Sequence, residues 1–395
     1  MNPDSLVNKR ILLLFPHLVI PGGALIYTLQ LAAQLQNRKA RVVILTLRHD
    51  RARIDLPAGV ETIAHPNGPL TSSLSFWLSW PFWQGWIIHR IKDWKPDLII
   101  AQVFPSNWWG WLAKRALPQI PMLWVCHEPS AFIHSENWIR VLQPAWKSRL
   151  ARTLRPFLAI ADRRLSRYGD AVVANSRFTA EQVKRVYGLK VAAIANPGVN
   201  LDDFPVRRTN GSGLLLTVAH LSGFKRIDFL LLVFAGILEK RPNLRLAIVG
   251  DGEMMAELKQ CARSLQIAEQ VDFHGRLHHS EIVQLYAGAD LYLHGGVEES
   301  FGMVLIEALA GGCPVLAHAS GGPLEIVTPG TGRLMHDLHP ASWSDAALAL
   351  LEQADARTAT LCRKRAADFS WKQMGERIAS ICNQLITQRH SSKKP

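Results

Sequence analysis

Ten short runs of almost unbroken apolar residues recur along this chain, and helical patterns alternate with them from end to end. They lie at residues 11–15, 42–46, 97–100, 122–125, 171–174, 191–195, 214–218, 244–249, 291–293 and 315–317. A strand that is apolar on both faces has to be covered on both faces, which is the condition of a parallel sheet. Strands alternating with helices build βαβ units. The pattern predicts an α/β fold whose ligands bind at the carboxyl ends of the strands. At 395 residues the chain is long enough for two such domains. Asn196-Pro197-Gly198 and the polar stretch 207–213 interrupt the alternation and place the boundary near residue 205.

Composition narrows the function. With 48% hydrophobic and 19% charged residues the chain is not a disordered one. A net charge of +13 asks for an anionic partner: nucleic acid, anionic lipid or an anionic substrate. The cysteines at 126, 261, 313, 362 and 382 form no Cys-x-x-Cys pair. Their odd number and scatter predict reduced thiols in a cytoplasmic protein, packed as small buried hydrophobes. Residues 1–8 are polar and predict no secretory signal, and no apolar run is long enough to span a bilayer.

The stretch from Glu299 to Glu307 carries the sharpest chemical signal. Two carboxylates stand eight positions apart around Gly302 in an otherwise apolar run, between a strand pattern and a helix pattern. Free N–H groups at such a helix start, on Gly302, Met303 and Val304, suit a phosphate. Glu299 would lie in the turn, and Glu307, about two helical turns on, would face the same crevice. N–H donors for phosphate beside carboxylates for hydroxyls suit a sugar nucleotide. Ordinary acidic helix starts account for Glu298 and Glu299, but not for Glu307 inside an apolar helix.

Glu299-Ser-Phe-Gly-Met-Val-Leu-Ile-Glu307, Gly311-Gly312-Cys313-Pro314-Val315 and Gly321-Gly322-Pro323-Leu324-Glu325 together resemble the donor site of family-four retaining glycosyltransferases. Residues 218–228, with His220, Lys225 and Arg226, resemble that family's phosphate-binding segment. Residues 193–200 resemble its entry to the second domain. Gly22-Gly23 and Cys126-His127-Glu128-Pro129 match its first-domain loops. The resemblance implies two Rossmann-like domains with parallel sheets facing across a cleft, the GT-B arrangement. Residues 1–204 would form an N-terminal acceptor-binding domain and 205–370 a nucleotide-sugar-binding domain. Residues 371–388 would form a helix returning to the first domain, and 389–395 a disordered tail.

The same resemblance implies roles. Lys225 and Arg226 would stabilise the charge that develops on a leaving nucleoside diphosphate. His220 stands where the family usually has arginine, and Leu25 where a glutamate frequently follows the two glycines. Glu299 would grip donor sugar hydroxyls, and Glu307 the nucleotide ribose. His127 would face the donor sugar, with Phe301, Gly302, Met303 and Val304 lining the donor and Gly22 and Gly23 approaching diphosphate or acceptor. The donor phosphate itself would take the acceptor proton. No Asp-x-Asp triplet and no metal-ligand spacing occur, so no catalytic metal and no cofactor are expected. The implied reaction moves a hexose, mannose among the candidates, from a GDP- or UDP-hexose to a saccharide or lipid-linked acceptor in cell-envelope polysaccharide or lipopolysaccharide assembly.

Two other readings stay open: a sugar-nucleotide epimerase of the same architecture, and a basic membrane- or nucleic-acid-binding protein. The second has no recognisable nucleic-acid module, and the aromatics sit apart from the basic run, so nucleic acid is not an expected partner. Eleven of the thirteen tryptophans lie before residue 147. Phe76, Trp80, Trp83, Ile87, Ile91 and Trp94 step at helical spacing, with Pro81 interrupting or starting the helix. Lys147, Arg149, Arg152, Arg155, Arg163, Arg164 and Arg167 follow, with Asp162 as the one acid among them. The stripe and the charges fit either a core plus a solvated helix or a seat on anionic lipid at the inner face of the cytoplasmic membrane.

Overall fold

The computed structural model describes residues 6–71, 74–135, 145–205 and 211–391. The chain divides into two compact units, Met1–Pro197 with Trp371–Pro395, and Gly198–Ser370. The sequence reading puts the boundary some residues later, near 205, because the polar run there is conspicuous. Residues 206–210 of that run lie outside the described residues.

The first unit is built on strands β1 (Arg10–Leu14), β2 (Arg41–Thr46), β3 (Glu61–Ala64), β4 (Leu98–Ala101), β5 (Met122–Cys126), β6 (Ala171–Ala174) and β7 (Ala193–Ile194). They form one parallel sheet in the order β3-β2-β1-β4-β5-β6-β7. Alternate side chains of β1 enter different cores, as the pleat requires. Ile11 and Leu13 pack with helix α1 (Gly23–Asn37) and with the C-terminal helix Trp371–Ser391 through Leu31, Leu35, Met374 and Ile378. Leu12 and Leu14 pack on the other face, with Trp83, Ile87 and Ile91 of helix α2 (Trp80–Trp94) and Trp109 of helix α3 (Ser106–Ala116). The aromatic stripe is thus largely core: Phe76, Trp83, Ile87, Ile91 and Trp94 are buried and Trp80 packs against them. Pro81 occupies the first turn of α2 and starts the helix rather than breaking it. The C-terminal helix continues through 389–391, past the limit expected from the sequence, and 392–395 lie outside the described residues.

Helix α4 (Ala145–Leu165) and helix α5 (Arg177–Tyr187) complete this unit's named elements. Asp162, the acid within the basic run, is fully buried. Its carboxylate accepts hydrogen bonds from Asn107 Nδ2 (3.1 Å), Trp108 Nε1 (2.7 Å) and Tyr187 Oη (2.8 Å), and His134 Nε2 lies 2.9 Å from it. A buried carboxylate is tolerated only with such partners.

The second unit holds β8 (Leu214–Val218), β9 (Arg245–Val249), β10 (Val271–Gly275), β11 (Leu291–His294), β12 (Val315–His318) and β13 (Gly332–Met335), parallel in the order β10-β9-β8-β11-β12-β13. Helices α6 (Ile227–Lys240) and α7 (Met303–Ala310) lie on opposite faces: Leu215 packs with Phe229, Phe234 and Ile237, and Leu216 with Leu305, Ile306 and Leu309. All ten apolar runs become strands. Among the strands the pattern missed, β3, β10 and β13 are sheet edges with mixed polar sequences, and His17–Leu18 and Arg48–His49 pair as a separate two-residue ladder. Four of the five cysteines are buried, and Cys261 is partly exposed. Among the described residues no helix is long and apolar enough to cross a membrane.

Candidate active site

The second sheet reverses its strand order between β8 and β11, which pair through Leu215↔Leu291 and Leu216↔Tyr292. Loops leaving neighbouring strands at such a point diverge and open a crevice at the carboxyl ends. From β8 the chain passes His220, turns through Gly223–Lys225 and enters α6. From β11 it passes Gly295, Gly296 and Glu299 and enters α7.

Glycines let these loops touch. A Cβ on Gly295 would sit 2.9 Å from the Lys225 carbonyl oxygen, and one on Gly322 only 1.9 Å from that of Phe301. The Gly322 N–H donates to the Glu299 carbonyl at 2.7 Å, and the Glu298 N–H to Ser320 Oγ at 2.9 Å. The acidic loop is therefore strapped to the loop after β12, and the lysine loop lies against Gly295.

The consequence is an ion pair: Lys225 Nζ donates to Glu299 Oε2 at 2.5 Å. The two side chains are 26% and 20% exposed, so an arriving ligand can reach them. Burial alone would raise the Glu299 carboxyl. The Lys225 ammonium, with His294 beside it, outweighs that and holds the group well below the usual carboxylate range. Three residues on, Gly302 adopts φ +95° and caps α7 with no side chain. The Met303 and Val304 amides then have no intrahelical acceptor, and no acid occupies the first turn, an arrangement that favours an anion. Phe301 turns its ring into the core against Phe369, at 5.6 Å between centroids, so only its backbone borders the site.

Glu307 is half-buried, and Tyr286 Oη donates to its Oε2 at 3.0 Å. Burial raises its pKa, and the Tyr286 hydrogen bond and the nearby His279 offset only part of that. Tyr292 Oη donates to the Val218 carbonyl at 3.0 Å. Burial holds this phenol high, and the charges of Glu307 and Glu299 push the same way. Both acids therefore lie within electrostatic reach of one hydroxyl at the end of β8.

The other two cations are placed differently. His220 is largely exposed; its Nδ1 lies 2.6 Å from the Asp251 carbonyl oxygen and its Nε2 3.5 Å from Glu253. Arg226 sits at φ +52° with its guanidinium 5.6 Å from the Phe229 ring centroid. It also helps burial hold the His318 imidazole low, so its charge is felt at the end of β12.

In the first unit, His127 follows β5 and is buried. Its Nε2 lies 3.0 Å from Gln102 Oε1, and the Tyr27 ring meets it edge-on at 4.7 Å. Burial lowers its pKa to about 4, so the ring is neutral near pH 7. Gln102 Oε1 also accepts from Thr28 Oγ1 at 2.8 Å. Gly22 caps α1 in extended conformation, and nothing lies within 4 Å of where its Cβ would be. Its conformation does not demand glycine.

Residues 21–203 match the family described as Glycosyltransferase Family 4, and residues 200–367 match Glycosyl transferases group 1. The chain belongs to the family-four, group 1 glycosyltransferases. It is 26% identical over 93% of both chains to a D-inositol 3-phosphate glycosyltransferase of Xylanimonas cellulosilytica. A GDP-mannose-dependent monoacylated alpha-(1-6)-phosphatidylinositol monomannoside mannosyltransferase of Corynebacterium glutamicum is 34% identical over 164 residues, covering 39% of this chain and 42% of that one. In fold it resembles the sucrose-phosphate synthase of Thermosynechococcus elongatus, with a TM-score of 0.79 and 21% identity over 96% of this chain and 100% of that one. The two parallel-sheet halves are those of GT-B enzymes, and the protein is a glycosyltransferase.

In this glycosyltransferase the structure brings Lys225, Glu299 and the α7 amides together. His294, Tyr286 and Gln102 were not singled out by the sequence. The one signal for His294 is a lone polar residue closing an apolar strand ahead of two glycines. Among the described residues no group of three His, Cys, Asp or Glu side chains is arranged to hold a metal ion.

Proposed function

We propose that this transferase moves a hexose from a UDP- or GDP-linked donor to a lipid-linked saccharide of the cell envelope, with retention at the anomeric carbon. The observation that carries the reading is the Lys225–Glu299 pair facing the uncapped start of α7 at the strand switch point. Lys225 and the Met303 and Val304 amides would take the diphosphate, Glu299 the sugar hydroxyls and Glu307 the ribose. The C1–phosphate oxygen bond breaks, the acceptor oxygen bonds to C1 on the same face, and its proton passes to the leaving phosphate. No resident metal is assigned a part. The mannosyl choice and the lipid-linked acceptor draw support from the partly matching Corynebacterium mannosyltransferase.

Thermal shift against UDP, GDP, UDP-glucose and GDP-mannose tests the reading, because a ligand of the folded state raises its midpoint. One base with its sugar nucleotide should stabilise the protein. No shift with any of the four would sink the proposal, and turnover of free sugar nucleotide without acceptor would favour an epimerase.

One surface supports a peripheral seat on anionic lipid. Helix α4 turns Asp162 inward and leaves Leu154, Phe157 and Ile160 exposed, flanked by exposed Arg149, Arg152, Arg163 and Arg164. Such a face suits the boundary of an anionic bilayer. Sedimentation with phosphatidylglycerol vesicles should fall with added salt and with Phe157→Ser. Absence of binding at low salt would remove this reading.

A further inference from the structure

His294 closes β11 as the last residue of an apolar strand, and its side chain is only 4% exposed. Buried polar atoms normally have hydrogen-bond partners. Its Nε2 has none at hydrogen-bond distance. That nitrogen points at Glu299, 3.5 Å from the same Oε2 that Lys225 holds at 2.5 Å. Gly296 keeps the path open: a Cβ there would lie 3.0 Å from His294 Nε2 and 3.3 Å from Glu299 Oε2. A buried donor thus stands behind the carboxylate while the partly exposed cation stands in front of it.

The arrangement matters because Lys225 has two claims on it. In the unliganded protein it is the counter-ion of Glu299. A diphosphate beside α7 would bring roughly two further negative charges and draw on the same ammonium. Glu299 would then be a half-buried carboxylate losing its partner, a strongly unfavourable situation unless another donor steps in.

Resting on the donor-site reading above, we propose that His294 is the positioning residue that takes over Glu299 when Lys225 turns to the diphosphate. Its Nε2–H closes the remaining gap, holds Oε2 and leaves the other carboxylate oxygen for a sugar hydroxyl. Lys225 is thereby a latch that the donor opens, and His294 the hinge pin that keeps the acid aimed. The alternative is that the imidazole only fills space at the strand end.

The test is the sugar's own contribution to binding: the affinity of UDP-glucose over UDP, and of GDP-mannose over GDP, by calorimetry. His294→Leu should lower that ratio about tenfold, the size of one hydrogen bond to a charged group, while nucleotide affinity stays within about twofold. His294→Gln, which can place an N–H near the Nε2 position, should restore most of it. In a Glu299→Gln background the ratio should already be low, and adding His294→Leu should change it by less than about twofold. An unchanged ratio in His294→Leu overturns the proposal. So does an equal loss in both backgrounds, or an equal loss in the Gln and Leu variants, each of which marks a space-filling role. If no nucleotide binds the wild-type protein, the donor-site reading fails instead.

Discussion

At the carboxyl end of the first sheet, His127 is buried and neutral, and it faces a neutral amide, Gln102. At the same end of the second sheet, Lys225 and Glu299 form a charged pair that solvent can reach. The loops differ in the same sense. Gly22 has open space around it, whereas Gly295 and Gly322 are wedged against carbonyl oxygens of neighbouring loops. One Rossmann-like half thus ends in neutral hydrogen-bonding groups and the other in fixed charges on strapped loops. Pre-set charge is what a leaving diphosphate needs, because it requires no reorganisation when the bond breaks. Neutral donors and acceptors suit hydroxyl groups.

The sharpest way to break that contrast is to remove the charges. Lys225→Ala and Glu299→Ala should each lower the transfer rate by about 10²–10³-fold, the usual effect of deleting one transition-state contact. Circular dichroism should be unchanged, since both side chains lie at the unit's surface. Full activity in either variant would show that the second unit's charges are not catalytic.

Acid titration should separate the halves next. Burial depresses His127 from its ordinary 6.5 to about 4, and His17, also in the first unit, by a similar amount. Between pH 6.5 and 4 the unfolded chain binds these protons and the native state does not. Stability is therefore complete above pH 6.5 and is lost as pH falls, by up to roughly 3 kcal/mol per histidine. Glu299 is depressed in the same sense, but from a lower ordinary value of 4.5. Its contribution is present above the ordinary carboxylate pKa and is lost only as pH falls through its lower native value. It should be silent in the upper part of this window, above the ordinary carboxylate pKa. Urea melts of His127→Gln should show a shallower loss from pH 6.5 to 4 than the wild type. Identical slopes would mean that His127 is not buried neutral.

Much of this contrast was legible beforehand, and what was not has a physical reason. The central strands declared themselves because a strand covered on both faces is apolar throughout. The edges β3, β10 and β13 did not, because one side of each meets solvent and its sequence turns mixed. Lys225 and Glu299 stand in local motifs. Gln102 does not, since nothing along the chain links it to His127; the contact is made across the β4–β5 pairing. His294 reads in sequence as any histidine that ends a strand, and only its unpartnered Nε2 sets it apart. Asp162 reads as a stray acid in a basic run, and only the fold shows Asn107, Trp108, His134, Ser166 and Tyr187 converging on it.

The glycine contrast can be tested by adding one methyl group. Gly322→Ala would place a Cβ 1.9 Å from the Phe301 carbonyl oxygen and should cost about 1–3 kcal/mol by forcing the strapped loops apart. Gly22→Ala meets nothing and should cost no more than about 1 kcal/mol, the difference between glycine and alanine as a helix N-cap. Denaturant midpoints decide this. If both variants lose stability equally, the first loop is as tightly held as the acidic one.

The smallest effect should come from Glu307, and it should have opposite signs in the empty and the loaded enzyme. Burial raises its pKa, so holding it ionised at neutral pH costs stability. Between the ordinary carboxylate pKa and the raised one, the native state binds the proton more readily than the unfolded chain. Stability therefore falls as pH rises through that interval and stays lower above it. Glu307→Gln removes the charge while its amide oxygen still accepts from Tyr286 Oη. The free variant should melt slightly higher than the wild type at pH 7. Its affinity for UDP or GDP should drop about tenfold, because a neutral amide binds ribose hydroxyls less strongly than a carboxylate. A site that stabilises the protein when disarmed, and weakens its ligand when disarmed, is one whose charge is kept for the ligand. If Glu307→Gln lowers the melting temperature and leaves nucleotide affinity unchanged, Glu307 is a structural partner of Tyr286, and the second unit's charged chemistry reduces to the Lys225–Glu299 pair and the start of α7.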